Sequence, residues 1–181
     1  RGGAADAVIF TDGSTHDDGT HPVIGGVSFM WWKEAPEAFS IPVPDDLVRS
    51  WLPTQNAMTL IEIFATIAAI AHHGPELVGK RVLMLIDSEA ALDALIKGYS
   101  RVEDVALIVT SFWEIVTSHQ ISVYLDRVPT DSNISDGMSR SRRQIRSRAQ
   151  GGQDQDADDE ALPECVKDGS AEAVEQMLSL I

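Results

Sequence analysis

Ala7-Val-Ile-Phe-Thr-Asp12-Gly-Ser14 is an apolar, β-branched run that ends in a carboxylate followed by a glycine. Such a run predicts a buried strand with a charged residue at its end. Three more acids, Glu62, Asp87 and Asp136, interrupt or end further segments of this kind. A carboxylate near a core is costly unless it is paired, hydrogen-bonded or bound to a metal. Four such groups on separate elements predict one site for a hard cation.

The pattern of apolar residues predicts an α/β chain with the element order βββαβααβα. Thr54 is the predicted N-cap of the first helix, and Gly74-Pro75 is its predicted end. Ser88 and Gly98 are the predicted start and stop of the second helix. The predicted elements are strands at 7–12, 23–32, 38–43, 81–86 and 121–126, and helices at 54–73, 88–97, 102–118 and 133–140.

The chain is long enough for one domain with a core and a tail. It has 181 residues, of which 44% are apolar and 23% charged, an ordinary globular composition. After about residue 148 the sequence becomes acidic and of low complexity, and after 169 an apolar stripe returns. We therefore expect a domain at 1–148, a disordered acidic linker at 149–168 and an amphipathic helix at 169–181.

A single cysteine, Cys165, excludes an internal disulfide framework and a zinc site built from several thiolates. It fits a reducing, intracellular setting. We expect no membrane partner, because no apolar run is predicted to span a bilayer and the first residues do not resemble a signal peptide. Since the first residue is not Met, we expect a fragment of a longer protein.

The net charge of −14 is unusual for a chain that handles nucleic acid. One dense basic cluster occurs, between residues 140 and 148. It is either a phosphate-binding surface or a solvated helix face. The five histidines are predicted to be surface or loop residues rather than ligands: His16, His21, His72, His73 and His119.

Three motifs, in this order, resemble a ribonuclease H domain over about residues 7–140. The ending of this part resembles the Val-Pro-Ser-x-x-Asn-x-x-Asp-x-x-Ser-Arg ending of ribonuclease H domains in reverse-transcribing retroelements, of the DIRS-like and pararetrovirus-like groups. The motifs are Phe10-Thr-Asp12-Gly-Ser14, Ile86-Asp87-Ser88 and Val128-Pro-Thr-Asp-Ser-Asn133-Ile-Ser-Asp136-Gly-Met-Ser-Arg140.

This resemblance implies a ribonuclease H-like α/β fold, a mixed five-stranded sheet with flanking helices and with strands one and four as parallel neighbours. It implies a metal-dependent endonuclease that cuts the RNA strand of RNA–DNA hybrids, linked to a polymerase domain. Mg²⁺ is the expected cofactor, with Mn²⁺ as a substitute, and two ions about 4 Å apart would support the hydrolysis. The implied catalytic and metal-binding residues are Asp12, Glu62, Asp87 and Asp136. The implied substrate-binding residues are Ser14, Asn56, Asn133, Arg140, Arg142 and Arg143.

Two features depart from the family pattern. The segment 127–136 lacks the histidine that cellular ribonucleases H carry in this loop, and the short connection after Lys97 leaves no room for an added basic helix. The missing histidine and the acidic surface keep a second interpretation open, that of a catalytically weak scaffold or nucleic-acid-binding module, whereas the complete set of four acids opposes it. A transposase-type strand transferase and a 3′–5′ exonuclease fit less well. In a strand transferase the last acid of the site would be Glu rather than Asp136. An exonuclease would carry Asp-x-Glu on its first strand, where this chain has Asp12-Gly-Ser14.

Overall fold

The computed structural model of the chain describes residues 4–15, 21–51, 57–139 and 166–168. The predicted order of five strands and four helices is confirmed. In chain order the elements are β1 (Ala7–Ser14), β2 (Val23–Met30), β3 (Glu37–Pro42), α1 (Asp45–Ser50), α2 (Ala57–Leu77), β4 (Arg81–Ile86), α3 (Glu89–Lys97), α4 (Glu103–Ser118), β5 (Ser122–Arg127), α5 (Asp136–Ser139) and β6 (Val166–Asp168). One 3₁₀ turn, Thr130–Ser132, precedes α5.

The strands form one mixed sheet in the order β5-β4-β1-β2-β3-β6. β1 pairs antiparallel with β2 and parallel with β4, so the two strands that end in acids are neighbours. In this register Thr11 lies beside Ile86. The next residues, Asp12 and Asp87, therefore leave the sheet at the same edge.

The core is built around α2, which is buried continuously from Leu60 to Ile70. Ile9 of β1 and Met84 of β4 belong to the same buried cluster, as does Phe112 of α4. By length and composition α2 could cross a membrane, contrary to expectation, yet 72% of its apolar window is buried inside the fold. Its apolar character is accounted for by its place at the centre of the core.

The predicted end of α2 at Gly74-Pro75 is wrong, because the helix continues to Leu77. A proline inside a helix removes the backbone donor to the carbonyl four residues earlier, here Ala71. Only the last turn is affected, and the buried side chain of Leu77 anchors that turn in the core. The predicted N-cap, Thr54, lies outside the described residues.

The structure adds two short elements that the sequence pattern does not predict. α1 begins after Pro44, carries Asp45 and Asp46 in its first turn and buries only Leu47. β6 pairs parallel with β3, with Val166 beside Ala38, at the edge of the sheet. β6 falls at the end of the segment that is predicted to be a linker, 149–168. The boundaries of the three predicted regions remain predictions.

His73 corrects the prediction for the histidines, because its side chain is buried between α2 and β2. Its Nε2 lies 2.8 Å from the hydroxyl of Ser28, which is itself fully buried. Burial is the main reason why the pKa of His73 is lowered to about 4, and the neighbouring His72 adds to the shift. Glu37, 3.6 Å from Nδ1, acts in the opposite direction but does not outweigh burial. His73 is thus a neutral core residue that joins the end of α2 to the sheet.

Candidate metal centre

Two carboxylates of the candidate site come from the neighbouring strands β1 and β4. Asp12 lies within β1 and is 5% exposed, whereas Asp87 directly follows β4 and is half-buried. α3 begins two residues later, with Ser88 as its N-cap. The Ser88 hydroxyl accepts a hydrogen bond from the Ala91 N–H, which fixes the turn that carries Asp87.

The third carboxylate, Glu62, reaches the strands because α2 packs directly against Gly13. A Cβ atom at Gly13 would lie 2.6 Å from the Ile61 side chain and 3.3 Å from the backbone N of Glu62. Any other residue at position 13 would therefore push α2 away from β1. The glycine that follows Asp12 sets the short distance between the first and second acids.

The three acids form one compact group. Asp12, Glu62 and Asp87 each offer one carboxylate oxygen, and these oxygens all lie within 4.8 Å of one another. Three carboxylates at this spacing repel one another strongly in a partly buried site. The arrangement is therefore stable only if protons or a cation reduce the negative charge.

The electrostatics of Glu62 show this repulsion. Burial raises the pKa of Glu62 to about 9, with the charges of Asp12 and Asp87 as the next contributions. A hydrogen bond from the Gly13 N–H lowers the pKa but does not offset burial. With no cation present, Glu62 is therefore protonated at neutral pH.

The donor set of this group fits a divalent cation. Among the described residues, Glu62 Oε2 and Asp87 Oδ1 are buried and have no hydrogen-bond partner. Buried polar atoms are normally satisfied, so two such oxygens in one acidic cluster fit the role of ligands to a cation. All donors are carboxylate oxygens, which Mg²⁺, Mn²⁺ and Ca²⁺ prefer.

Asp136 is not part of the group, so the predicted convergence of four carboxylates is found for three. Asp136 is the first residue of α5 and is only half-buried. α5 is seated through its other end, where the Ser139 hydroxyl donates to Asp12 Oδ2. The C-terminal end of the short helix thus lies against the site.

Ser14, a predicted substrate-binding residue, is half-buried at the end of β1. Its hydroxyl donates to the backbone carbonyl of Ser139. Ser14 and Ser139 together fasten α5 to β1. Ser139 belongs to the terminal motif, but the sequence pattern assigns it no role. The sequence feature that could have identified it is its position three residues after Asp136, which places both residues on the same turn of a helix.

The side-chain amide of Asn133, another predicted substrate-binding residue, is used inside the fold. It is 5% exposed, and its Nδ2 donates to the Thr11 carbonyl at 3.1 Å. Its Oδ1 accepts from the hydroxyl and the N–H of Ser135. Asn133 therefore fixes the segment before α5 to the strand that carries Asp12. The remaining predicted substrate-binding residues lie outside the described residues: Asn56, Arg140, Arg142 and Arg143.

Comparison with known proteins identifies the fold. No protein-family model matches the chain, and no curated protein sequence matches it. Ribonuclease H1 from the halophilic archaeon Halobacterium salinarum superposes with a TM-score of 0.55 and 15% identity, covering 74% of this chain and 93% of that one. The chain has a ribonuclease H-like fold.

Two further solved structures agree with this ribonuclease H-like fold. The N-terminal RNase H domain of a Mycobacterium tuberculosis protein has a TM-score of 0.54 and 14% identity, covering 82% of this chain and 99% of that one. LC11-RNase H1, isolated from compost by a metagenomic approach, has a TM-score of 0.54 and 16% identity, covering 81% and 99%. At these identities the likeness establishes the fold, and the case for activity depends on the site itself.

Proposed function

We propose that this chain is a metal-dependent ribonuclease that hydrolyses the RNA strand of RNA–DNA hybrids, with Mg²⁺ as cofactor and Mn²⁺ as a substitute. The observation that carries the proposal is the group of Asp12, Glu62 and Asp87, with two orphaned buried oxygens, at the edge of β1 and β4 in a ribonuclease H-like fold. Burying three neighbouring carboxylates lowers the stability of a domain, and such clusters are typical of functional sites.

The three clustered acids would hold the metal ions. Divalent ions bound there would supply a more acidic water and would stabilise negative charge on the leaving oxygen. The reaction joins the water oxygen to phosphorus and breaks the bond from phosphorus to the 3′-oxygen. Asp12 and Asp87 are set by the sheet, and Glu62 by the contact of α2 with Gly13, so the ligand positions do not depend on flexible loops.

Asp136 remains a candidate fourth ligand, because the contact between Ser139 and Asp12 ties its helix to the site. Ser14, Asn56, Asn133 and the arginines of the 140–148 cluster remain candidate substrate contacts. The retroelement context and a linked polymerase domain are also part of the proposal. The terminal motif, residues 128–140, supports both. The net charge of −14 also supports a linked domain, because an acidic chain needs another basic surface to bind nucleic acid tightly.

One observation favours a second function, that of a nucleic-acid-binding scaffold with little turnover. The carboxylate of Asp136 lies outside the three-acid group. If four acids are needed to bind the ions productively, the three that converge would bind metal without efficient cleavage. Metal binding and hybrid cleavage must therefore be measured separately.

The test is a substrate panel with the purified chain. A labelled RNA–DNA hybrid, single-stranded RNA and duplex DNA are incubated with Mg²⁺, with Mn²⁺ and with EDTA. We expect cleavage of the RNA strand of the hybrid alone, with either metal, and none in EDTA. Cleavage in EDTA, or equal cleavage of single-stranded RNA, would contradict the proposal. Metal binding without any cleavage would support the scaffold function instead.

A further inference from the structure

Ser139 contacts the acidic group from outside it. It is fully buried, and its hydroxyl donates a hydrogen bond to Asp12 Oδ2. The same hydroxyl lies 3.2 Å from the backbone carbonyl of Asp136. A serine has one hydroxyl hydrogen, and the charged, closer acceptor takes it. Ser139 is thus a donor directed at one oxygen of a predicted metal ligand.

The position of Ser139 is fixed by a glycine in the strand next to Asp12. In the sheet, Asp12 pairs with Gly25 of β2. A Cβ atom at Gly25 would lie 2.5 Å from the backbone N of Ser139 and 2.6 Å from the backbone carbon of Met138. Only glycine allows the backbone of α5 to rest on the sheet at this point. Because Gly25 has no side chain, the backbone of α5 packs closely on β2, and from there the Ser139 hydroxyl reaches Asp12.

Two more contacts fix the same segment to β1. The Asn133 amide donates to the Thr11 carbonyl, and the Ser14 hydroxyl donates to the Ser139 carbonyl. With the bond from Ser139 to Asp12, the segment before and within α5 is fastened at three points along one strand. α5 is only four residues long and buries no apolar side chain, so these polar contacts and the seat at Gly25 hold it in place.

A hydrogen bond to one carboxylate oxygen fixes the rotation of the carboxylate about its Cβ–Cγ bond. It also places a donor beside a negative charge that Glu62 and Asp87 would otherwise repel. Residues that orient a metal ligand in this way typically change metal affinity or activity by about 10–100-fold when they are removed.

We infer that Ser139 is a positioning residue that orients the Asp12 carboxylate for metal binding. The inference rests on the proposed function for its meaning, because it assigns Ser139 to the same metal centre. It concerns metal affinity, however, and metal affinity is measurable whether or not the chain cleaves RNA. A failure of the proposed nuclease activity would therefore leave this inference open to its own test.

The test compares Ser139→Ala with Ser135→Ala. Both serines are fully buried in the same segment, but the Ser135 hydroxyl donates to Asn133 Oδ1 rather than to an acid of the site. Mn²⁺ and Mg²⁺ are titrated by calorimetry, and hybrid cleavage is measured against metal concentration. We expect Ser139→Ala to raise the dissociation constant for metal about tenfold, with the cleavage plateau restored at saturating metal. We expect Ser135→Ala to shift it less than about twofold and to lower stability only.

An unchanged metal affinity in Ser139→Ala would overturn the inference. An equal loss of metal affinity in Ser135→Ala would also overturn it, since the affinity would then depend on the folding of the segment and not on the hydroxyl of Ser139. If wild type binds metal but cleaves no hybrid, the proposed activity fails while the affinity comparison still decides the role of Ser139. Should Ser139→Ala not fold, Ser139→Cys retains a weaker donor at the same position. It is expected to raise the dissociation constant by a smaller factor, and an unchanged value would overturn the inference.

Discussion

Glu62 is the residue at which the stability of the fold and the proposed function conflict most directly. It is 6% exposed, and burial among two other acids raises its pKa from 4.5 to about 9. Between these pH values the folded chain keeps a proton that the unfolded chain has lost. The free energy of unfolding contributed by this group is therefore largest at low pH and falls as the pH rises through about 9.

We expect Glu62→Gln to raise the melting temperature of the metal-free chain at pH 8 by more than about 4 °C, because the amide needs no proton. The variant should also lose the decline of melting temperature with rising pH, and Mg²⁺ should no longer stabilise it. Thermal denaturation in chelator and in Mg²⁺ from pH 5 to 9 measures both effects. Glu114→Gln, the same change at an exposed position of α4, is the control and should stay within about 0.5 kcal/mol of wild type. An unchanged or steeper decline in Glu62→Gln would mean that another group is responsible.

The sequence was sufficient to predict that Asp12, Glu62 and Asp87 belong to one site. Each of them interrupts or ends an apolar run, and the cost of burying a carboxylate there can be recognised locally. The sequence was not sufficient for Asn133 or Ser139. A polar residue near a motif can face the substrate or the fold, and only the tertiary contacts distinguish the two. Asp136 shows the same limit, because the helix that carries it packs on Gly25 through a tertiary contact that the sequence pattern does not show.

At the scale of elements, the close contacts at Gly13 and Gly25 place α2 and α5 against the sheet. Long, periodic elements were predictable: α3 begins and ends at its predicted caps, Ser88 and Gly98. The short elements α1 and β6 were not predicted, because they contain too few residues for a pattern to emerge, whereas the equally short α5 was predicted from the terminal motif. The end of α2 was missed because the packing of Leu77 overrides a local helix breaker.

We expect Gly25→Ala to destabilise the chain by about 1–3 kcal/mol, because the new methyl group would collide with the backbone of α5. The collision should also displace Ser139, so metal affinity should fall together with stability. Urea unfolding and a metal titration measure the two effects.

Gly137→Ala is the matched control, since a Cβ atom at Gly137 meets no atom within 4 Å. It lies in the same helix and should be neutral or slightly stabilising. If Gly25→Ala were as stable as Gly137→Ala, α5 would not be seated as the structure shows.

At the scale of the whole molecule, the distribution of charge sets the affinity for nucleic acid. The net charge is −14, and the dense basic cluster lies between residues 140 and 148. Repulsion between an acidic surface and phosphates lowers affinity unless a local basic surface compensates for it. The affinity for the proposed substrate therefore depends on these few arginines more strongly than it would in a protein with a basic surface.

We expect replacement of the five arginines of this cluster by serine to weaken hybrid binding and to lower its salt dependence. The five are Arg140, Arg142, Arg143, Arg146 and Arg148. The slope of log affinity against log salt should fall by about one unit for each phosphate that the variant no longer binds. Hybrid binding at several salt concentrations, measured in Ca²⁺ to avoid turnover, gives this slope. Unchanged binding at low salt would show that the cluster is a solvated surface.

The tail offers a second prediction at this scale. Beyond residue 148 the chain contributes only the short edge strand β6 to the described fold. We expect a chain ending at residue 149 to keep its metal-dependent activity and to lose no more than about 1–2 kcal/mol of stability. Urea unfolding of the full and shortened chains measures this loss. Failure of the shortened chain to fold would mean that the tail completes the core.

The most direct test of the central claim is the rate at which Asp87→Asn cleaves an RNA–DNA hybrid in Mg²⁺. Asp87 follows β4 and contributes one of the three clustered oxygens, so its loss removes both ligand charge and ligand geometry. Asp93→Asn is the control, because Asp93 is an exposed acid on α3 that pairs with Lys97. We expect no detectable cleavage by Asp87→Asn in a folded chain, and wild-type cleavage by Asp93→Asn. Wild-type cleavage by a folded Asp87→Asn chain would contradict the assignment of the metal centre.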